Sequence, residues 1–201
     1  LELLKGRELA DAIRDEAPMA PSRVAKIMQG VCMSLAEAHA QKIIHRDLKP
    51  ANIFLCEVEG DNDFVKVMDF GIARVIEVDQ GQSQLTQTGM TQGTPAYMSP
   101  EQIKGEQVDA RSDLYALGCI FYKVLTGHHP FPRGNRIETY KHHLYTSPMP
   151  LAVYLEDVPA PLEALMGRLL AKLPQQRIGY AEDVASWLLR LGASPPDTPT
   201  P

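Results

Sequence analysis

His45, Arg46, Asp47, Leu48, Lys49, Pro50, Ala51 and Asn52 follow one another, and Asp69, Phe70 and Gly71 come further along the chain. Carboxylate and carboxamide oxygens suit a hard divalent cation such as Mg2+. Together these residues can hold the metals of a nucleotide and orient a hydroxyl nucleophile. Phosphoryl transfer asks little covalent work of a protein; it asks for positioning and for cations against the charge on the phosphoryl oxygens.

Such residues need elements that bring them together. The apolar stretch from Asn52 to Leu55 and the run from Phe64 to Met68 read as two strands, with Glu59, Gly60, Asp61, Asn62 and Asp63 as the turn. That hairpin presents Asn52 and Asp69 close to each other. Upstream, Ser22 reads as an N-cap, and Val24, Ile27, Met28, Val31, Leu35 and Ala38 recur at helical spacing. This helix delivers the 45–52 loop. From Ser112 to Thr126 the pattern is apolar on nearly every side, which marks a buried helix at the centre of the domain. Pro130, Phe131 and Pro132 end it. A polar helix near Ile137 to Tyr145 follows, then amphipathic helices from Leu162 to Leu173 and from Ala181 to Leu191.

The segment from His45 to Asn52, with Asp69-Phe70-Gly71, resembles the catalytic and metal-binding loops of protein kinases, in the form of a bacterial eukaryote-like Ser/Thr protein kinase. The resemblance extends downstream. Gly93-Thr94-Pro95-Ala96-Tyr97-Met98-Ser99-Pro100-Glu101 is similar to the segment that receives the substrate, with Ser-Pro-Glu where many kinases have Ala-Pro-Glu. It implies an α+β fold: the mainly helical large lobe, with a small β-hairpin carrying the catalytic and metal-binding loops.

It also implies roles. Asp47 accepts and orients the substrate hydroxyl, Lys49 reaches the transferring phosphate, Asn52 binds the second metal and Asp69 bridges the metals to the phosphates of ATP. Thr94 and Lys49 imply Ser/Thr specificity, so the partners are protein substrates carrying those hydroxyls. His45, Phe70 and Gly71 complete the two loops. Glu101 pairs with Arg177, and Asp113 either holds the catalytic-loop backbone or is a charge at a helix N-terminus. For the nucleotide, the resemblance implies adenine contacts from the backbone of Glu2 and Leu4 and packing from Phe54. Glu8 is left as either a ribose contact or a solvated carboxylate at a helix start. In residues 69–101, the activation segment, Thr86 and Thr88 are the expected phosphorylation sites, with Thr91 behind them, and Arg46 is the guanidinium that would grip the phosphate.

No Gly-rich phosphate loop, no Val-Ala-Ile-Lys strand and no helix bearing the partner Glu precedes the catalytic loop. Residues 1–6 resemble the hinge between kinase lobes, so the expectation is a large lobe over 1–191, cut from a missing N-lobe, followed by a disordered Pro-rich tail over 192–201. A non-catalytic, kinase-like binding module is the alternative function. Of 201 residues, 44% are hydrophobic, enough for one core of ordinary size, and the net charge of -5 has no long single-sign run, which argues against a nucleic-acid groove or a membrane-surface stripe. Three cysteines without metal spacing fit reduced thiols in a cytoplasmic setting, although a parent protein anchored beyond the tail is compatible. The adjacent pairs His128-His129 and His142-His143 read as loop and helix-surface residues.

Overall fold

A computed structural model describes residues 5–58, 60–70 and 94–192. Strand β1 (Gly6–Glu8) leads directly into α1 (Leu9–Glu16), and α2 (Pro21–Ala40) runs to the 41–52 loop. Strands β2 (Ile53–Val58) and β3 (Asp61–Val67) follow. The remainder is helical: α3 (Pro100–Lys104), α4 (Ala110–Thr126), α5 (Arg136–Tyr145), α6 (Ala160–Leu169) and α7 (Ala181–Gly192).

The three strands form one antiparallel sheet in the order β1-β2-β3. Strand β1 goes beyond the sequence reading, which placed a hinge over 1–6, whereas helix α1 begins directly after Glu8, the helix start that one reading of this carboxylate allowed. Leu9, Ala12 and Ile13 are spaced three and four apart and are buried, so the helical signal was present in a short segment. The hairpin is also longer than expected. Asp61, Asn62 and Asp63 belong to β3 and not to the turn, and Val58 pairs with Asp61. Asp and Asn are poor strand formers, but α2 compensates: Arg23 donates to both oxygens of Asp63 at 2.9 Å, and Lys26 pairs with Asp61.

Helix α2 starts at Pro21, with Ala20 at the N-cap position, so Ser22 is an exposed first-turn residue and not the cap. Proline suits the first helical position because its fixed φ is already helical and its missing N–H has no intrahelical partner there. Helix α4 buries every residue except Ala110, Arg111 and Lys123. It stops at Gly127, whose φ of 77° lies in the left-handed region, and thus before Pro130. At Gly118 a Cβ would come within 2.9 Å of the Leu169 Cβ, so only glycine lets α6 lie this close to α4. Helix α6 spans Ala160–Leu169, earlier at both ends than the apolar spacing suggested, and a short turn at Pro174–Gln176 brings Arg177 back under α4.

The core runs from α1 and α2 through α4 to α6 and α7, and Cys32, Cys56 and Cys119 are free thiols inside it. No helix among the described residues is long and apolar enough to cross a membrane.

Candidate active site

The 41–52 loop hangs between α2 and β2, and its backbone is held by side chains from two helices, one of them braced by a third. Asp113, in the first turn of α4 and 1% exposed, accepts from the His45 N–H through Oδ2 and from the Arg46 N–H through Oδ1, both at 2.9 Å. Oδ2 also lies 2.8 Å from His39 Nε2 of α2. Gln102 of α3 donates through Nε2 to the Arg46 carbonyl at 2.6 Å. This clamp matters because Arg46 has a φ of 65°, a left-handed conformation that costs a residue with a Cβ about 1–2 kcal/mol. Asp113 therefore holds the loop and sits at a helix N-terminus at once. His45 is fully buried; its Nε2 lies 2.9 Å from the Met68 carbonyl and its Nδ1 accepts from the Asp47 N–H at 3.3 Å, which places the ring proton on Nε2. The Phe70 ring packs against it at 4.9 Å between centroids.

Asp47 is thereby fixed at its backbone while its carboxylate stays partly exposed, with Lys49 Nζ donating to Oδ2 at 2.7 Å. Asn52 is buried and donates through Nδ2 to the Asp47 carbonyl at 3.0 Å. Its own carbonyl accepts from the Met68 N–H at 2.8 Å, which ties the start of β2 to the end of β3. The next residue, Asp69, is exposed and left-handed with a φ of 55°. Asn52 and Asp69 thus lie at one end of the hairpin beside Asp47.

These donors fit Mg2+. The cation prefers oxygen, keeps several waters and is usually held by one or two protein carboxylates with substrate phosphates rather than by an all-protein cage. Asn52 Oδ1 has no hydrogen-bond donor among the described residues, and neither has the Asp69 carboxylate. No group of three His, Cys, Asp or Glu side chains among the described residues is arranged to hold a metal on its own.

On the far side of Asp47, the turn Pro95–Tyr97 brings Thr94 and Tyr97 against Arg46, Asp47 and Leu48 around a small cavity of about 10 Å³. Its anchor is Glu101 in α3. Arg177 donates from Nη1 and Nη2 to the two Glu101 oxygens at 2.7 and 2.8 Å, and Ser112 Oγ donates to the same carboxylate. Burial pushes the Glu101 carboxyl up, but the hydrogen bonds from Arg177 and then Ser112 outweigh it and hold the group below the usual range.

Residues 1–188 match the sequence model of the protein kinase domain. The chain belongs to the protein kinase family. It is 41% identical over 200 residues to the serine/threonine-protein kinase PknB of Mycobacterium tuberculosis, covering 99% of this chain and 31% of that protein. It is 38% identical over 200 residues to PknB of Mycobacterium leprae, with the same coverage. Against the serine/threonine-protein kinase pkn3 of Myxococcus xanthus the identity is 40% over 184 residues, 90% of this chain and 34% of that protein. The chain spans about a third of the length of these curated relatives.

Among the other residues singled out in this kinase sequence, Glu8 ends β1 and precedes α1, and it pairs in register with Phe54 of β2. Both are half-buried. Glu2, Leu4, Gly71, Thr86, Thr88 and Thr91 lie outside the described residues. His39, Gln102 and Ser112 were missed. Ser99-x-x-Gln102 has the spacing of a helix-start capping box, and Gln102 Oε1 does accept from the Ser99 N–H at 3.0 Å, but nothing in the sequence signals its reach to Arg46. His143 is a correction: it is 1% exposed and not on the helix surface, because its ring packs on Phe131 and its Nδ1 meets the Tyr115 hydroxyl at 3.0 Å. Burial pushes its pKa down to about 3.

Proposed function

We propose that this chain is the large lobe of an ATP-dependent protein kinase that phosphorylates Ser and Thr hydroxyls of protein substrates in bacterial signalling. The observation that carries the reading is the clamped loop. Asp113, braced by His39, and Gln102 hold the backbone before Asp47 in a left-handed turn, and Asp47 emerges beside Lys49, Asn52 and the end of the hairpin.

In this reading the Asp47 carboxylate accepts the hydrogen bond of the substrate hydroxyl and orients its oxygen for attack. Lys49, already paired with Asp47, places its ammonium where the phosphoryl group passes. Asn52 Oδ1 and the Asp69 carboxylate hold Mg2+, which supplies charge neutralisation at the phosphoryl oxygens when bound. Thr94 lines the acceptor side. Glu8 of the edge strand β1 and Phe54 of the central strand β2, cross-strand neighbours, serve the ribose and adenine, together with Glu2 and Leu4. Residues 1–6 are the hinge to the small lobe, 69–101 the activation segment and 193–201, after the last helical residue Gly192, a linker. Phosphorylation of Thr86 or Thr88 orders that segment through Arg46, whose guanidinium has no carboxylate partner among the described residues.

The test is phosphate transfer by the intact gene product. Asp47→Asn should lower turnover by about two orders of magnitude or more with an unchanged melting temperature. Near-normal turnover would remove Asp47 from its role. The second reading is a kinase-like module that binds a partner and transfers nothing. Absence of any ATP-dependent transfer by the intact protein would select it.

A further inference from the structure

Lys123 is one of three residues of α4 that escape burial, and it points its charge at the segment carrying Thr94. Its Nζ lies 3.5 Å from the Tyr97 hydroxyl, and Tyr97 lines the same small cavity as Asp47. His129 packs its ring against that of Tyr97 at 5.6 Å between centroids, and Arg133, four residues further on, is exposed. No carboxylate among the described residues pairs with Lys123 or Arg133. His129 Nδ1 is buried without a hydrogen-bond partner. A partly desolvated cation and an orphaned ring nitrogen are both costly unless something completes them. Burial lowers the pKa of Lys123 and Arg133 lowers it further; His129 is pushed down to about 4 by burial and then by Lys123, Arg133 and His128. With no carboxylate among the described residues paired to Lys123 or Arg133 the patch is electropositive, although the whole chain carries a net charge of -5.

We propose that Lys123, His129 and Arg133 form a subsite for an anionic side chain of the peptide substrate, so that the kinase selects acceptors flanked by an acidic or phosphorylated residue. The inference rests on the phosphotransfer reading above and adds its substrate class. Geometry limits where the anion sits. Asp113, which holds the catalytic loop, and Lys123 are ten residues apart on one helix, a separation of about 15 Å along its axis. An extended peptide covers that distance in about five residues. The anion therefore lies within about five residues of the acceptor hydroxyl.

The test is a positional scan with the intact kinase. Peptides carry one Ser acceptor and, at each flanking position in turn, Ala, Asp, phosphoserine or Arg; kcat/KM is read for phosphorylation and Kd by NMR titration. At one position within that window, Asp or phosphoserine should exceed Arg by about tenfold or more, the scale of one paired charge. Lys123→Glu and Arg133→Glu should each invert the order; the second is at an exposed position and tests the site even where the first disturbs folding. Phosphoserine well above Asp identifies a previously phosphorylated substrate, and equal values identify a plain acidic one. Uniform kcat/KM and Kd across the four peptide sets, or an order unchanged in both variants, overturns the subsite while leaving phosphotransfer standing. Charge-selective binding lost in Arg133→Glu, without any phosphorylation, supports the subsite and refutes the activity.

Discussion

Replacing Arg177 with Met tests what holds the substrate-receiving segment to the helical core. The side chain is fully buried and donates five hydrogen bonds: two to Glu101 and one each to the carbonyls of Ala171, Arg111 and Lys172. It also lies over the Tyr115 ring at 4.8 Å. Methionine fills much of the volume but leaves Glu101, 2% exposed, with only the Ser112 hydroxyl. Removing one partner of a buried ion pair costs about 3–5 kcal/mol, because the remaining charge stays desolvated. With a urea slope of about 2–3 kcal/mol per molar, the unfolding midpoint should fall by about 1.5 M. The pH dependence carries the diagnosis. In the native protein the Glu101 carboxyl is held below its ordinary range, so its contribution is present above the unfolded pKa and is lost as pH falls through the folded one. Without Arg177 burial dominates and raises the folded pKa, so ionisation destabilises the variant as pH rises. The gap between the two proteins should be small near pH 4 and widest near neutrality, and Glu101→Gln with Arg177→Met should close most of it. A loss below about 1 kcal/mol at neutral pH, or a gap that ignores pH, would refute the argument.

Asp113→Ala should cost about 2 kcal/mol or more by orphaning the His45 and Arg46 amides, and hydrogen exchange should show both losing protection; protected amides would mean the loop keeps its turn without the carboxylate. Lys172, whose ammonium donates to the His142 and His143 carbonyls, has its pKa lowered to about 8 by burial. The unfolded chain then binds the extra proton above that value, so stability should rise from about pH 8 to about pH 10, and Lys172→Met should flatten the rise in urea midpoints; an unaltered slope would exclude Lys172 as its source. Burial pushes the thiols of Cys32 and Cys119 up to about 12, so iodoacetamide at about pH 8 should modify neither until urea is added, and labelling of the native protein would contradict their place in the core.

Local chemistry in the sequence carried much of this protein. The apolar run of α4, the i, i+3 and i+4 spacing in α2 and the two apolar strands around Asn52 and Asp69 are nearest-neighbour patterns, and they are read directly because burial imposes the period of each element. The order of Asp47, Lys49, Asn52 and Asp69 is equally local, since one loop and one hairpin bear all four. Long-range packing decided the rest. Asp61 to Asp63 form a strand because Arg23 and Lys26 arrive from α2, and His143 is buried because Phe131 and Tyr115 close over it. The start of α2 moved by two residues because Pro21 outweighed Ser22, while α4 ends at Thr126 as its apolar run indicated. The clamp on Arg46 and the meeting of Lys123 with Tyr97 come from residues far apart in the chain. A sequence states which groups exist and how neighbours repeat, but the meeting of a carboxylate with amides 68 and 67 residues away is settled only when helices pack and buried polar groups find partners.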